Sequence, residues 1–134
     1  MGVIFDTSIL IGLERGTLDA DRLIRGREQE PFGISVISAA ELLHGVHRAD
    51  TSKRRMIRAS FVEKVLEHYP LYPFDLAAAR MYADIWASLQ SKGVKIGAHD
   101  LMIAATAISL GFSVATLDFR DYRKIEGLTL DPTG

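Results

Sequence analysis

The chain has 134 residues, 48% of them hydrophobic and 25% charged. That balance suits one domain with one core and excludes an intrinsically disordered chain. It contains no cysteine, which excludes disulfide frameworks and thiolate metal centres, and its net charge of −1 leaves any nucleic-acid affinity to local basic patches.

Val3, Ile4 and Phe5 form an apolar run that stops at Asp6 and passes through Thr7 and Ser8 into Ile9 and Leu10. This reads as a buried strand ending in a carboxylate and turning directly into a helix over 8–14, closed near Gly16. A second helix is expected over 18–28, broken by Pro31 and Gly33. A β-branched strand follows over 33–37, then a helix over 38–47 that carries Glu41. Asp50 and Thr51 offer caps for a longer helix to His68, with an apolar stripe at Ile57, Phe61 and Val65 and a basic start at Lys53, Arg54, Arg55 and Arg58. Pro70 ends it, and 71–74 reads as a short strand. Asp75 caps a helix to Ser91 with Ala79, Tyr82, Ala83 and Trp86 on one face.

After a loop over 91–97 comes a strongly apolar helix over 98–110, with Gly111 as its C-terminal cap. A strand covers 112–116, and 128–130 reads as a last edge strand. No apolar run approaches the roughly 20 residues of a membrane span, and the N-terminus shows no signal-like leader, so a cytoplasmic protein is expected. Strands alternating with helices predict an α/β fold. Its expected form is a three-layer α/β/α sandwich around a mainly parallel sheet of four to five strands, one domain over 1–134.

Four acidic positions stand out. Asp6 ends the first strand, Glu41 and Asp100 fall in first helical turns, and Asp118 follows the fourth strand, with Asp121 three residues on. Each has an ordinary explanation as a cap, a capping box (Ser38 to Glu41), a dipole partner or a turn former. Jointly that explanation weakens. In a parallel sheet all strand C-termini share one edge, which brings Asp6, Glu41 and Asp118 together. Two carboxylates about 5 Å apart repel by about 3 kcal/mol at an effective dielectric near 20, a cost that a cation removes. An all-oxygen donor set suits Mg²⁺ or Mn²⁺, whose chemistry at a phosphodiester is that of a nuclease.

Four stretches resemble the PIN-domain ribonucleases, specifically the VapC-type toxins of toxin–antitoxin pairs. They are Val3-Ile4-Phe5-Asp6-Thr7-Ser8; Ser35 to Leu42 (SVISAAEL); Ala98 to Ala107 (AHDLMIAATA); and Val114 to Tyr122 (VATLDFRDY). The resemblance spans essentially the whole chain. It implies a metal-dependent endoribonuclease with Asp6, Glu41, Asp100 and Asp118 as the catalytic acids. Mg²⁺ or Mn²⁺ would be held by Asp6, Asp100 and Asp118, by Glu41 directly or through water, and with Asp121 as the alternative to Asp118. Thr7, Ser8, Thr116 and Asp121 would support these ligands. The resemblance further implies an RNA substrate, a cognate VapB-type antitoxin, and a homodimer that forms a heterotetramer or larger assembly with it.

Lys92, Lys95 and Arg120 flank the acidic positions and are the candidate RNA contacts. Glu41 and His44 have the Glu-x-x-His spacing of di-iron sites, but such sites need a second copy of that motif. A phosphatase would place a second Asp two residues after Asp6, where Ser8 stands. The competing class is a catalytically silent PIN-like module that binds RNA or protein.

Overall fold

In the computed structural model, residues 1–132 are described. Four parallel strands, β1 (Val3–Phe5), β2 (Phe32–Ser35), β3 (Leu71–Tyr72) and β4 (Ser113–Ala115), form one sheet in the order β3-β2-β1-β4. Every residue of β1 is buried, as expected of a strand covered on both faces. Side chains alternate across it. Ile4 and Val114 join a core with Ile85, Leu89, Leu101, Ile103 and Tyr122 on one face. Val3, Phe5 and Ala115 join Leu10, Ile34, Leu42, Val62 and Val65 on the other. These faces are covered by α5 (Leu76–Ser91) and α6 (Ala98–Leu110), and by α1 (Thr7–Glu14), α3 (Val36–His47) and α4 (Ser52–His68), giving the expected three layers. Among the described residues no helix is long and apolar enough to cross a membrane.

Local signals account for most boundaries. Asp6, Thr51 and Asp75 cap α1, α4 and α5 through their side chains. Gly111 ends α6 in the left-handed region, at φ 72°.

The differences from expectation are also local. The helix expected over 18–28 is the single turn α2 (Ala20–Ile24): Asp19 caps it, and Arg25 leaves helical geometry before Gly26 turns the chain at φ 83°. The strand expected to reach 37 stops at Ser35, whose hydroxyl accepts the Ile37 N–H at 3.0 Å and starts α3 early. This cap overrides the β preference of Val36 and Ile37. The capping box at Ser38 is therefore not formed, and Glu41 sits in the second turn of α3. Pro73, which has no N–H, follows a β3 of only two residues.

The buried face of α5 is Ala78, Ile85 and Leu89, one position round from the expected stripe, and Trp86 is 53% exposed against Tyr82. In α4, Ile57 is 61% exposed, beside Arg54 and Arg58 rather than an apolar face. The segment over 128–130 forms one bridge, Leu130 to Val114, instead of a strand. It is tied down next door by the Arg27–Asp131 ion pair.

Candidate active site

Asp6 follows β1 directly and is 5% exposed. Its Oδ2 accepts from Ser8 Oγ and Thr116 Oγ1 at 2.8 Å each and from the Ser8 N–H at 3.4 Å; its Oδ1 accepts from the Tyr122 hydroxyl at 2.8 Å. The two smaller hydroxyls are themselves aligned by backbone amides. Ser8 Oγ accepts the Leu117 N–H at 2.9 Å, and Thr116 Oγ1 accepts that of Asp118 at 3.0 Å. Capping and site geometry thus coexist in one carboxylate, with the start of α1 and the end of β4 joined through it.

Glu41 reaches the same edge from α3. The Thr7 hydroxyl donates to its Oε1 at 2.6 Å. The same hydroxyl lies 3.0 Å from Ser38 Oγ. His99 Nδ1 stands 3.4 Å from Glu41 Oε2. The early start of α3 is what brings Ser38 and Glu41, one helical turn apart, against Thr7.

Asp100 lies in the first turn of α6, where the helix dipole favours its negative charge. That effect loses. Burial above all, then the charges of Asp6 and Glu41, raise its pKa to about 6, against a lowering by the Tyr122 hydrogen bond; Asp121 adds a smaller rise. The Tyr122 hydroxyl lies 3.3 Å from Asp100 Oδ1 and so bridges Asp6 and Asp100. Burial and the same two carboxylates hold the phenol's proton far above the ordinary tyrosine range.

The acids after β4 divide. Asp118 is exposed and precedes the short helix α7 (Phe119–Tyr122) without a side-chain cap bond. Asp121 lies within α7, is half-buried, contacts Lys124 at 3.3 Å, and acts electrostatically on Asp100.

Of the expected RNA contacts, Lys92 pairs with Glu126 at 3.6 Å, Lys95 borders an apolar recess at Trp86 and Ile96, and Arg120 is exposed on α7. A groove of about 370 Å³ opens beside Thr7 and Glu41, and Arg15, Arg48 and Arg58 line it. Arg58 also meets Glu14 at 3.5 Å.

Among the described residues no three carboxylate or imidazole groups are gathered into a ready-made cage. The hard-oxygen donor set and the repulsion felt at Asp100 are what a divalent cation would relieve. Two contributors were missed in the sequence, Tyr122 and His99. His99 adjoins Asp100, and Tyr122 ends an acid-rich stretch, but neither position signals a hydrogen bond to a distant carboxylate.

A four-stranded parallel sheet with carboxylates from separate elements collected at its C-terminal edge defines the class of protein. The chain belongs to the PIN-domain family, which matches residues 3–128. Its relatives place it beside the VapC ribonucleases. It is 38% identical over 131 residues to "Ribonuclease VapC1" of Rickettsia felis, covering 96% of this chain and 93% of that one. To "Ribonuclease VapC" of Rickettsia bellii it is 37% identical over 128 residues, covering 96% and 93%. Among solved structures, VapBC-1 from nontypeable Haemophilus influenzae superposes with a TM-score of 0.83 at 27% identity, covering 98% of this chain and 97% of that chain.

Proposed function

We propose that this chain is the endoribonuclease toxin of a VapBC-type pair, dependent on Mg²⁺ or Mn²⁺, with RNA as substrate and a VapB-type antitoxin as partner. The observation that carries the reading is the junction of Asp6 and Asp100 at one buried phenol. The names of its relatives support the same chemistry.

Asp6 and Asp100 would hold the ion, with Glu41 direct or through water. The action of Asp121 on Asp100 supports Asp121 ahead of Asp118 as the further acid. When bound, Mg²⁺ or Mn²⁺ supplies Lewis-acid stabilisation of phosphoryl charge and eases deprotonation of water. The chain's own residues do the placing. Ser8, Thr116 and Tyr122 fix Asp6; Thr7 and His99 orient Glu41. Arg15 and Arg48, beside Glu41 in the groove, attract flanking phosphates and set the strand's path.

The deciding experiment uses the purified chain, free of any partner, on end-labelled RNA. Internal cleavage with Mg²⁺ or Mn²⁺, stopped by EDTA and lost in Asp100→Asn, is expected. Undiminished cleavage in EDTA or in Asp100→Asn overturns the reading.

A further inference from the structure

Tyr122 carries a hydroxyl that its packing does not require. Its ring is 1% exposed, in the core with Ile4, Leu101 and Val114, and phenylalanine would supply that burial without a polar group to desolvate. The hydroxyl instead meets two carboxylates that come from different elements. Asp6 Oδ2 is already committed to Ser8 and Thr116, which leaves Oδ1 to Tyr122. Among the described residues Tyr122 is the only hydrogen-bond donor to Asp100.

Resting on the reading that Asp6 and Asp100 hold a divalent cation, we propose that Tyr122 is a positioning residue for that ion. Its single proton goes to Oδ1 of Asp6 at 2.8 Å and is shared, as a longer three-centre contact, with Oδ1 of Asp100 at 3.3 Å, so that the two carboxylates are held near one donor before the ion arrives. A carboxylate pair without such a tether separates, and each ion bound must first bring it back together. Tyr122 also ends α7, so anchoring its ring fixes the short helix that presents Asp121.

The test is Mn²⁺ binding to the full chain by calorimetry, for the wild type, Tyr122→Phe and Asp100→Asn. Tyr122→Phe is expected to keep its circular dichroism spectrum and bind Mn²⁺ about 10–100-fold more weakly, as for other residues that orient metal ligands. Its cleavage rate recovers at saturating Mn²⁺, so the defect lies in the metal concentration needed rather than in the maximal rate. Affinity equal to or tighter than wild type overturns the proposal. Asp100→Asn separates the two readings. If it binds Mn²⁺ like wild type, the metal site itself is misplaced and the proposal falls with it. If it loses Mn²⁺ while Tyr122→Phe does not, only the role of Tyr122 fails.

Should Tyr122→Phe not fold, fluorotyrosine-labelled wild-type chain provides the reading. Of its four tyrosine resonances, Tyr69, Tyr72 and Tyr82 are assigned by their own phenylalanine variants. The remaining one must shift as Mg²⁺ saturates; an unmoved resonance overturns the proposal.

Discussion

The Thr7 hydroxyl lies 2.6 Å from Glu41 Oε1 and so ties the first residue of α1 to the second turn of α3. This contact sets where the Glu41 carboxylate stands relative to Asp6, the residue just before Thr7. Thr7→Val keeps the branched shape and removes the donor. Glu41 is partly exposed and regains water, so the loss of stability is about 0.5–1.5 kcal/mol by urea unfolding. Cleavage is expected to fall about 10-fold, the lower range for a group that orients a metal-site acid. Wild-type cleavage in this variant removes Thr7 from the site.

Asp100 gives the metal-free protein a defined pH dependence. Its folded pKa of about 6 lies above the ordinary carboxylate value, so the folded state holds the proton more tightly than the unfolded chain does. The stability this contributes is fully present below about pH 4 and is lost as pH rises through about 6. The melting temperature of wild type minus that of Asp100→Asn is therefore expected to fall between pH 4 and 7. Asp100 is only half-buried, so solvent screening keeps the slope below that of a fully buried acid. Mg²⁺ competes with the same proton, and its stabilising effect should grow over this interval. A difference that rises with pH contradicts the assignment.

Asp118 and Asp121 are separated by paired substitutions. Asp121 acts on Asp100, whereas Asp118 is exposed and makes no side-chain cap bond. Asp121→Asn should reduce cleavage by about 10-fold or more, and Asp118→Asn by far less. Equal rates, or the reverse order, favour Asp118 as the further acid. Mn²⁺ titration of both variants shows whether the loss lies in binding.

Gly33 tests the sheet that carries the site. A Cβ there would stand 2.4 Å from Tyr72 Cε2 and 2.8 Å from the Pro70 carbonyl oxygen. The Tyr72 ring is held edge-on against Phe112, and the carbonyl accepts the Ile34 N–H in the β2–β3 pairing. Gly33→Ala should therefore destabilise the protein by about 1–3 kcal/mol, read as a lower urea midpoint with unchanged slope. An unchanged midpoint shows that Tyr72 and β3 move aside freely.

The sequence by itself determined what short-range chemistry encodes. The run Val3-Ile4-Phe5 followed by Asp6 specifies a central strand ending at a polar cap. Thr51, Asp75 and Gly111 mark helix ends through their own side chains or backbone. Alternation of strands and helices then dictates a parallel sheet, and a parallel sheet puts Asp6, Glu41 and Asp118 at one edge. Competing local signals decided less well: both Ser35 and Ser38 can start a helix, and in the folded chain the Ser35 hydroxyl takes the Ile37 N–H while Ser38 faces Thr7. Tertiary structure alone decided the rotation of α5 that exposes Trp86 and the meeting of Asp6 and Asp100 at Tyr122. Those depend on angles between elements, to which periodicity and capping are blind. A hydrogen bond needs placement within a few tenths of an ångström, and only the packed core under Tyr122 supplies that.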